Sequence, residues 1–162
     1  MKIVVCVKQT PDTAELPKVD LARAKSGELG VTMVVNPWDE FALEEGIRLS
    51  ERFKGDVTAI SIGPAQAIEA LRTAIAMGIA NAVLLTDGAF KDGDAWATAR
   101  VLAGAIKKSG AADVVITGKQ AVDGNSGLVS VGLSRLLGAS YLSGVTKVVD
   151  ISGGKITVER GM

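Results

Sequence analysis

The sequence has no histidine and a single cysteine, Cys6, among 162 residues. The first absence excludes imidazole acid–base chemistry, Ser-His-Asp triads and His-containing metal sites. The second excludes a disulfide framework and any CxxC pair, which fits a reducing compartment. Charge of either sign is not in excess: 18 basic residues balance 18 acidic ones. Nothing in that balance points to a nucleic-acid partner or an anionic membrane surface. Aromatics are only 4%, so the core must be made of Val, Ile, Leu and Ala. No apolar run approaches the roughly 20 residues that span a bilayer. Met1-Lys2 leads straight into a strand-like run, without the order of a signal peptide. Together these absences imply a soluble, cytoplasmic protein with no membrane insertion.

What is present is a repeated strand–helix pattern in a chain whose length suits a single domain over residues 1–162. Ile3-Val4-Val5-Cys6-Val7 is an unbroken apolar run, as expected of a strand buried on both faces. Residues 9–35 read as irregular, interrupted by Pro11, Pro17, Gly27 and Gly30. Asn36-Pro37 then opens a helix: Asn36 suits the cap, Pro37 the first helical position, and Glu40 the return arm of a capping box. Trp38, Ala42, Leu49 and Phe53 fall near one stripe of that helix, and Gly55 ends it.

Three further units follow. Residues 57–62 read as a strand, and after Gly63-Pro64 a helix carries Ile68, Leu71 and Ile75 on its expected inner face. Residues 82–85 form the next strand, followed by a helix capped by Asp94 with Ala95, Ala99, Leu102 and Ile106 inward. A strand over 113–117 leads through a Gly-rich segment to a helix with Val129, Leu133, Leu136 and Leu137 inward. Two more strands, 145–149 and 156–158, flank the Gly153-Gly154 turn. Alternation of this kind predicts an α/β fold with a mainly parallel sheet covered on both faces. Ligands of such sheets bind beyond the carboxyl ends of the strands, at the topological switch point. Residues 6–12, 62–65 and 118–127 all leave carboxyl ends and are expected to meet there.

The richest of these segments is Gly118-Lys119-Gln120-Ala121-Val122-Asp123-Gly124-Asn125-Ser126-Gly127. Its glycines let the backbone approach a ligand, and the helix that follows offers N–H groups and a dipole suited to phosphate. An ordinary turn capped by Asn125 or Ser126 is the plain alternative. The segment is neither a P-loop nor a Rossmann fingerprint. For Asn36-Pro37-Trp38-Asp39 the residue types by themselves favour a structural role. Cys6 reads as a small core residue with no resolving thiol. Asp87, Asp92 and Asp94 read as capping residues, because the EF-hand spacing is missing.

Taken in order, a set of motifs resembles the electron transfer flavoprotein beta subunit family. They are Val7-Lys8-Gln9-Thr10-Pro11-Asp12-Thr13, Asn36-Pro37-Trp38-Asp39-Glu40-Phe41-Ala42-Leu43-Glu44-Glu45 and Ser61-Ile62-Gly63-Pro64-Ala65. Then follow Leu71-Arg72-Thr73-Ala74-Ile75-Ala76-Met77-Gly78, Ala97-Thr98-Ala99-Arg100-Val101-Leu102-Ala103 and Gly118-Lys119-Gln120-Ala121-Val122-Asp123-Gly124. Each alone is weak, whereas the ordered set spreads over nearly the whole chain.

The resemblance implies a three-layer α/β/α sheet of the adenine nucleotide hydrolase-like kind. It implies an electron carrier subunit, not an enzyme in its own right, that pairs with an alpha subunit. Such a heterodimer takes electrons from flavin dehydrogenases and passes them to a quinone reductase. The beta subunit usually binds AMP; in the bifurcating branch FAD takes that place. The electron-transferring FAD sits mostly on the alpha subunit. The family's nucleotide contacts fall here on Cys6, on Asn36, Pro37, Trp38 and Asp39, on Ile62, and on residues 118–127 with Leu128 and Val129. Two departures stand out: Leu128 and Ser130 occupy positions where members often carry Gln and Gly. The family also continues past residues 158–162 into a C-terminal arm, with a loop that engages dehydrogenases, which these 162 residues do not contain.

Two other readings compete. A stand-alone adenine-nucleotide sensor of the universal stress protein type would share the topology, but residues 118–127 fit that family's loop poorly. An ATP pyrophosphatase would need an SGGxDS loop after the first strand, which residues 8–13 do not supply.

Overall fold

The computed structural model describes residues 1–19, 22 and 30–161, and elements are numbered along these residues. Four parallel strands make the main sheet: β1 (Lys2–Cys6), β4 (Asp56–Ile62), β5 (Asn81–Leu85) and β6 (Val114–Thr117). Their order is β5-β4-β1-β6. Two short strands, β2 (Gln9–Pro11) and β3 (Met33–Val35), pair antiparallel beside it. The helices are α1 (Pro37–Phe53), α2 (Ile68–Met77), α3 (Ala95–Lys108) and α4 (Leu128–Leu137). An antiparallel pair, β7 (Val145–Ser152) and β8 (Lys155–Arg160), closes the described chain.

The strand period of two sends successive side chains to opposite faces, and each face has its own helices. Ile3 and Val5 of β1, with Val57 and Ala59 of β4, pack against Ala42, Leu43 and Leu49 of α1 and Ala70, Leu71 and Ala74 of α2. Val4, Cys6 and Ile60 face the other way, onto Ala99, Leu102, Ala103 and Ile106 of α3 and Leu133 of α4. The result is the three-layer α/β/α arrangement expected from the sequence. Small residues set the layer spacing. A Cβ at Gly46 would lie 2.6 Å from Val5 Cγ2, and one at Gly132 would lie 2.8 Å from the Ala99 Cβ. Side chains there would push α1 off the sheet and α4 off α3.

Four expectations need correction. Residues 9–35 are not wholly irregular: Gln9, Thr10 and Pro11 pair with Val35, Val34 and Met33. Three residues are too few to show a period, and Pro11 at the end of an edge strand breaks the pattern without breaking the pairing. Part of the segment, residues 20, 21 and 23–29, lies outside the described residues. On α2, Ile68 and Ile75 are 42% and 45% exposed. Leu71 is buried as expected, but its companions on the inner face are Ala70 and Ala74, whose small volume lets the helix sit close to the sheet. Ile68 and Ile75 flank a shallow groove with Ala82 and Leu84 along the edge strand β5. Trp38 is 40% exposed and does not share the buried stripe of α1, which runs through Asp39, Ala42, Leu43, Gly46 and Leu49. The fourth correction concerns Asn36, whose side chain makes no cap hydrogen bond.

Candidate functional site

The chain leaves β1 for β4 and β5 on one side, then returns to β6 on the other. The switch point therefore lies between the carboxyl ends of β1 and β6, where Cys6 pairs with Thr117. Residues 7–8 and 118–119 leave the sheet side by side. A cleft of about 750 Å³ opens there.

The β2–β3 ladder delivers a third segment to the same place. It folds the chain back so that the Asn36 N–H donates to the Lys8 carbonyl at 2.9 Å. That sets the N-terminus of α1 against the crevice, with Pro37 at its first position. Two side chains then tie the segments together. Asn36, 1% exposed, donates from Nδ2 to the Gln120 carbonyl at 2.9 Å and accepts at Oδ1 from the Val122 N–H at 3.1 Å. Asp39 Oδ2 accepts from the Lys8 N–H at 2.8 Å, and Oδ1 from the Gly118 N–H at 3.2 Å. The capping-box expectation fails for this reason: the amide is committed to the 118–127 loop. The helix start relies on the Asn36 carbonyl, which accepts from the Asp39 and Glu40 N–H groups.

Gly118 is required at its position. A Cβ there would fall on Asp39 Oδ1 and on the Trp38 backbone carbonyl. Further along, Lys8 Nζ lies 2.8 and 2.6 Å from the two carboxylate oxygens of Asp123. Gln120 Nε2 donates to Asn125 Oδ1 at 3.0 Å, and Asn125 takes φ +52°. The loop ends at Gly127, with φ 61°, as the N-cap of α4, and no side chain satisfies the first N–H groups of that helix. This answers the plain alternative of an Asn- or Ser-capped turn: neither caps it. The open end faces the cleft, which Leu128, Val129 and Ser130 line.

Burial shapes the titration of two groups here. Desolvation pushes the Asp39 carboxyl up from 3.8 to about 6, against the opposing hydrogen bonds from Lys8, Asn36 and Gly118 and the Lys8 charge. Burial, then the Asp39 charge, pushes the Cys6 thiol up to about 12. Cys6 is thus held as a neutral thiol in the core, not as a nucleophile.

Of the residues expected at the site, Cys6, Asn36, Asp39, Ile62, Gly118, Lys119, Gln120 and Ala121 line the cleft, as do Asp123, Gly124, Asn125, Ser126, Gly127, Leu128 and Val129. Three do not. Pro37 starts α1 behind the wall, and Val122 turns its N–H to Asn36. Trp38 sits outside, half exposed, with Lys119 Nζ 5.7 Å from its ring centroid. One wall was missed altogether: Thr86, Asp87, Phe90, Lys91 and Thr98, after β5. Asp87 and Asp94 do cap there, accepting from the Ala89 and Ala97 N–H groups at 2.9 and 2.7 Å. The signal was available, since this loop leaves a carboxyl end like the other three.

Among the described residues no cluster of His, Cys, Asp or Glu has the makings of a metal site, and no helix is long and apolar enough to cross a membrane.

Comparison with known proteins gives consistent matches. The family model described as "Electron transfer flavoprotein domain" matches residues 26–162. The chain is 44% identical to an electron transfer flavoprotein subunit beta of Thermoanaerobacterium thermosaccharolyticum, covering 100% of this chain and 61% of that protein. It is 42% identical to a FixA protein of Azorhizobium caulinodans, covering 99% of this chain and 59% of the relative. A Clostridium acetobutylicum electron transfer flavoprotein subunit beta is 41% identical over 99% of this chain and 61% of its own length. The chain thus spans about six-tenths of the length of these relatives.

Proposed function

The chain belongs to the electron transfer flavoprotein family, and from that premise we propose that it is the nucleotide-binding part of a beta-type subunit. In this reading it binds AMP or FAD in the switch-point cleft. Paired with an alpha subunit, it carries electrons from flavin dehydrogenases toward a quinone reductase. It is a carrier component and not a free-standing catalyst.

The observation that carries this reading is the uncapped N-terminus of α4 opening into the cleft. Its first N–H groups are unpaired donors on the positive end of a helix, suited to a phosphate. The donors are backbone groups, so Leu128 can stand where the family often has Gln. Ile60, Ile62, Phe90 and Leu102 also line the cleft and supply apolar surface that suits the face of an aromatic ring. Asp123 and Asn125 supply polar side chains beside the glycines. The donor set therefore fits an adenine nucleotide.

Small-molecule sites run to roughly 300–1,000 Å³, and a cleft of about 750 Å³ can take either AMP or FAD. A bound flavin would supply the electron chemistry; the chain's residues would bind it, orient it and shield one face from water.

The test is to denature the purified protein and identify the released small molecule by chromatography, mass and absorbance. FAD supports a working flavin in this site, and AMP a structural nucleotide. Release of neither, with the alpha subunit present, overturns the reading.

A further inference from the structure

Two carboxyl-end segments flank the cleft, and one buried carboxylate holds both. Asp39 Oδ2 takes the Lys8 N–H after β1 and Oδ1 takes the Gly118 N–H after β6. The backbone has closed around this contact, since Gly118 leaves no room for a Cβ against Asp39. Asp39 is 6% exposed, at the back of the cleft.

We propose that Asp39 is a positioning residue: its ionised carboxylate latches the two loops that frame the nucleotide site, and its protonation unlatches them. The proposal rests on the nucleotide-binding reading for its consequence, but the latch itself is a property of this chain alone.

The chemistry follows from the donor count. Both backbone contacts come from N–H groups, and the Asn36 amide adds a third donor, so a carboxylate with two free oxygens satisfies them all. A neutral acid places a hydroxyl hydrogen on one oxygen. That oxygen loses most of its accepting power, and the other makes a weaker, uncharged bond. The charged and titratable groups facing Asp39 are few. From β1 and its exit come the Cys6 thiol and the Lys8 ammonium. From its own helix terminus comes the neutral Asn36, and from the loop after β6 the Gly118 amide. Lys8 is shared with Asp123, 2.6 Å away, so it does not hold Asp39 ionised by itself. Burial prevails, and the carboxyl titrates at about pH 6, within reach of physiological change. The Asn36 contacts to Gln120 and Val122 do not titrate, so unlatching loosens residues 7–8 and 118 while the rest of the loop stays docked and Asp39 stays buried. Having lost the two bonds that favour its charge, the carboxyl then holds its proton more tightly still.

The test uses nitrogen-15 NMR on the purified protein without nucleotide, from pH 5 to 8. The Lys8 and Gly118 amide resonances should move together with one midpoint near 6, and both should stop moving in Asp39→Asn. Separate midpoints, or no movement in the wild-type protein, overturn the latch even if the variant does not fold. AMP and FAD affinities are measured in parallel across the same range. The wild type should lose roughly threefold to tenfold in affinity on acidification, the scale of one hydrogen bond's net contribution. Asp39→Asn should bind weakly throughout and lack that component. The monoester phosphate of AMP ionises near pH 6 as well, whereas the pyrophosphate of FAD does not. The AMP effect is equal for both proteins, so the difference between their profiles isolates Asp39. Identical profiles overturn the proposal. Failure of both nucleotides to bind at any pH sinks the functional reading instead, and leaves the amide titration to decide the latch.

Discussion

Asn36 and Asp39 have the residue types of a helix start and the partners of a loop clamp. Both are buried polar groups whose hydrogen bonds cross between segments far apart in sequence. Removing one partner leaves the others unsatisfied in the interior, which costs about 1–3 kcal/mol per group. Asn36→Leu should therefore lower unfolding free energy by roughly that amount, measured by urea denaturation at constant slope. A helix cap alone, replaced by an apolar residue in the same measurement, would account for about 1 kcal/mol, and loss of nucleotide retention without loss of helix stability would mark the clamp. Asp39 makes a second prediction. Its folded-state carboxyl holds the proton up to about pH 6, against 3.8 ordinarily. The folded state thus binds more protons than the unfolded chain between those values, and this group's contribution to stability falls as pH rises from about 4 to about 6. Subtracting the Asp39→Asn stability profile from the wild-type profile should reveal that descent. A difference that rises with pH would contradict the burial argument.

At the scale of elements, α3 and α4 start in opposite ways. Asp94 caps α3 through the Ala97 N–H at 2.7 Å, whereas α4 begins at a bare glycine facing the cleft. One helix is finished by its own sequence; the other has no side-chain cap. Asp94→Ala should lower stability by about 1 kcal/mol by thermal unfolding, and should leave nucleotide affinity unchanged. Gly127→Asp places a carboxylate at the start of α4, at the cost of a left-handed backbone position. It should abolish retention of a phosphate-bearing ligand, read by the same release assay. Retention at the wild-type level would mean that the phosphate lies elsewhere.

At the scale of the molecule, the site belongs to no single element. The ends of β1 and β4, the start of α1, the loops after β4, β5 and β6, and the first turns of α3 and α4 each line part of it. A ligand that touches all of them binds only the folded state, and should stabilise it by about 2.7 kcal/mol at a hundredfold excess over its dissociation constant. The melting temperature should rise with added AMP or FAD, more for the one that fills the cleft. A rise with adenosine equal to that with AMP would argue against the phosphate end.

The main sheet, its helices and the three-layer stacking were legible in the order of the amino acids. Unbroken apolar runs and strong caps are local signals, and local signals survive reading one residue at a time. That order also pointed to the crevice where residues 6–12, 62–65 and 118–127 meet, because the strand–helix alternation fixes which strand ends lie together. Where short or ambiguous pieces belong was settled by packing between distant segments. The three-residue strands β2 and β3 carry no period; pairing with each other makes them strands. On α2 the more hydrophobic Ile68 and Ile75 lost the inner face to Ala70 and Ala74, because sheet contact selects small volume over hydrophobicity. Asn36 had two equally local uses, and the Gln120 and Val122 backbone groups, more than eighty residues away, chose between them. Such choices rest on contacts distant in the chain, which no local pattern records.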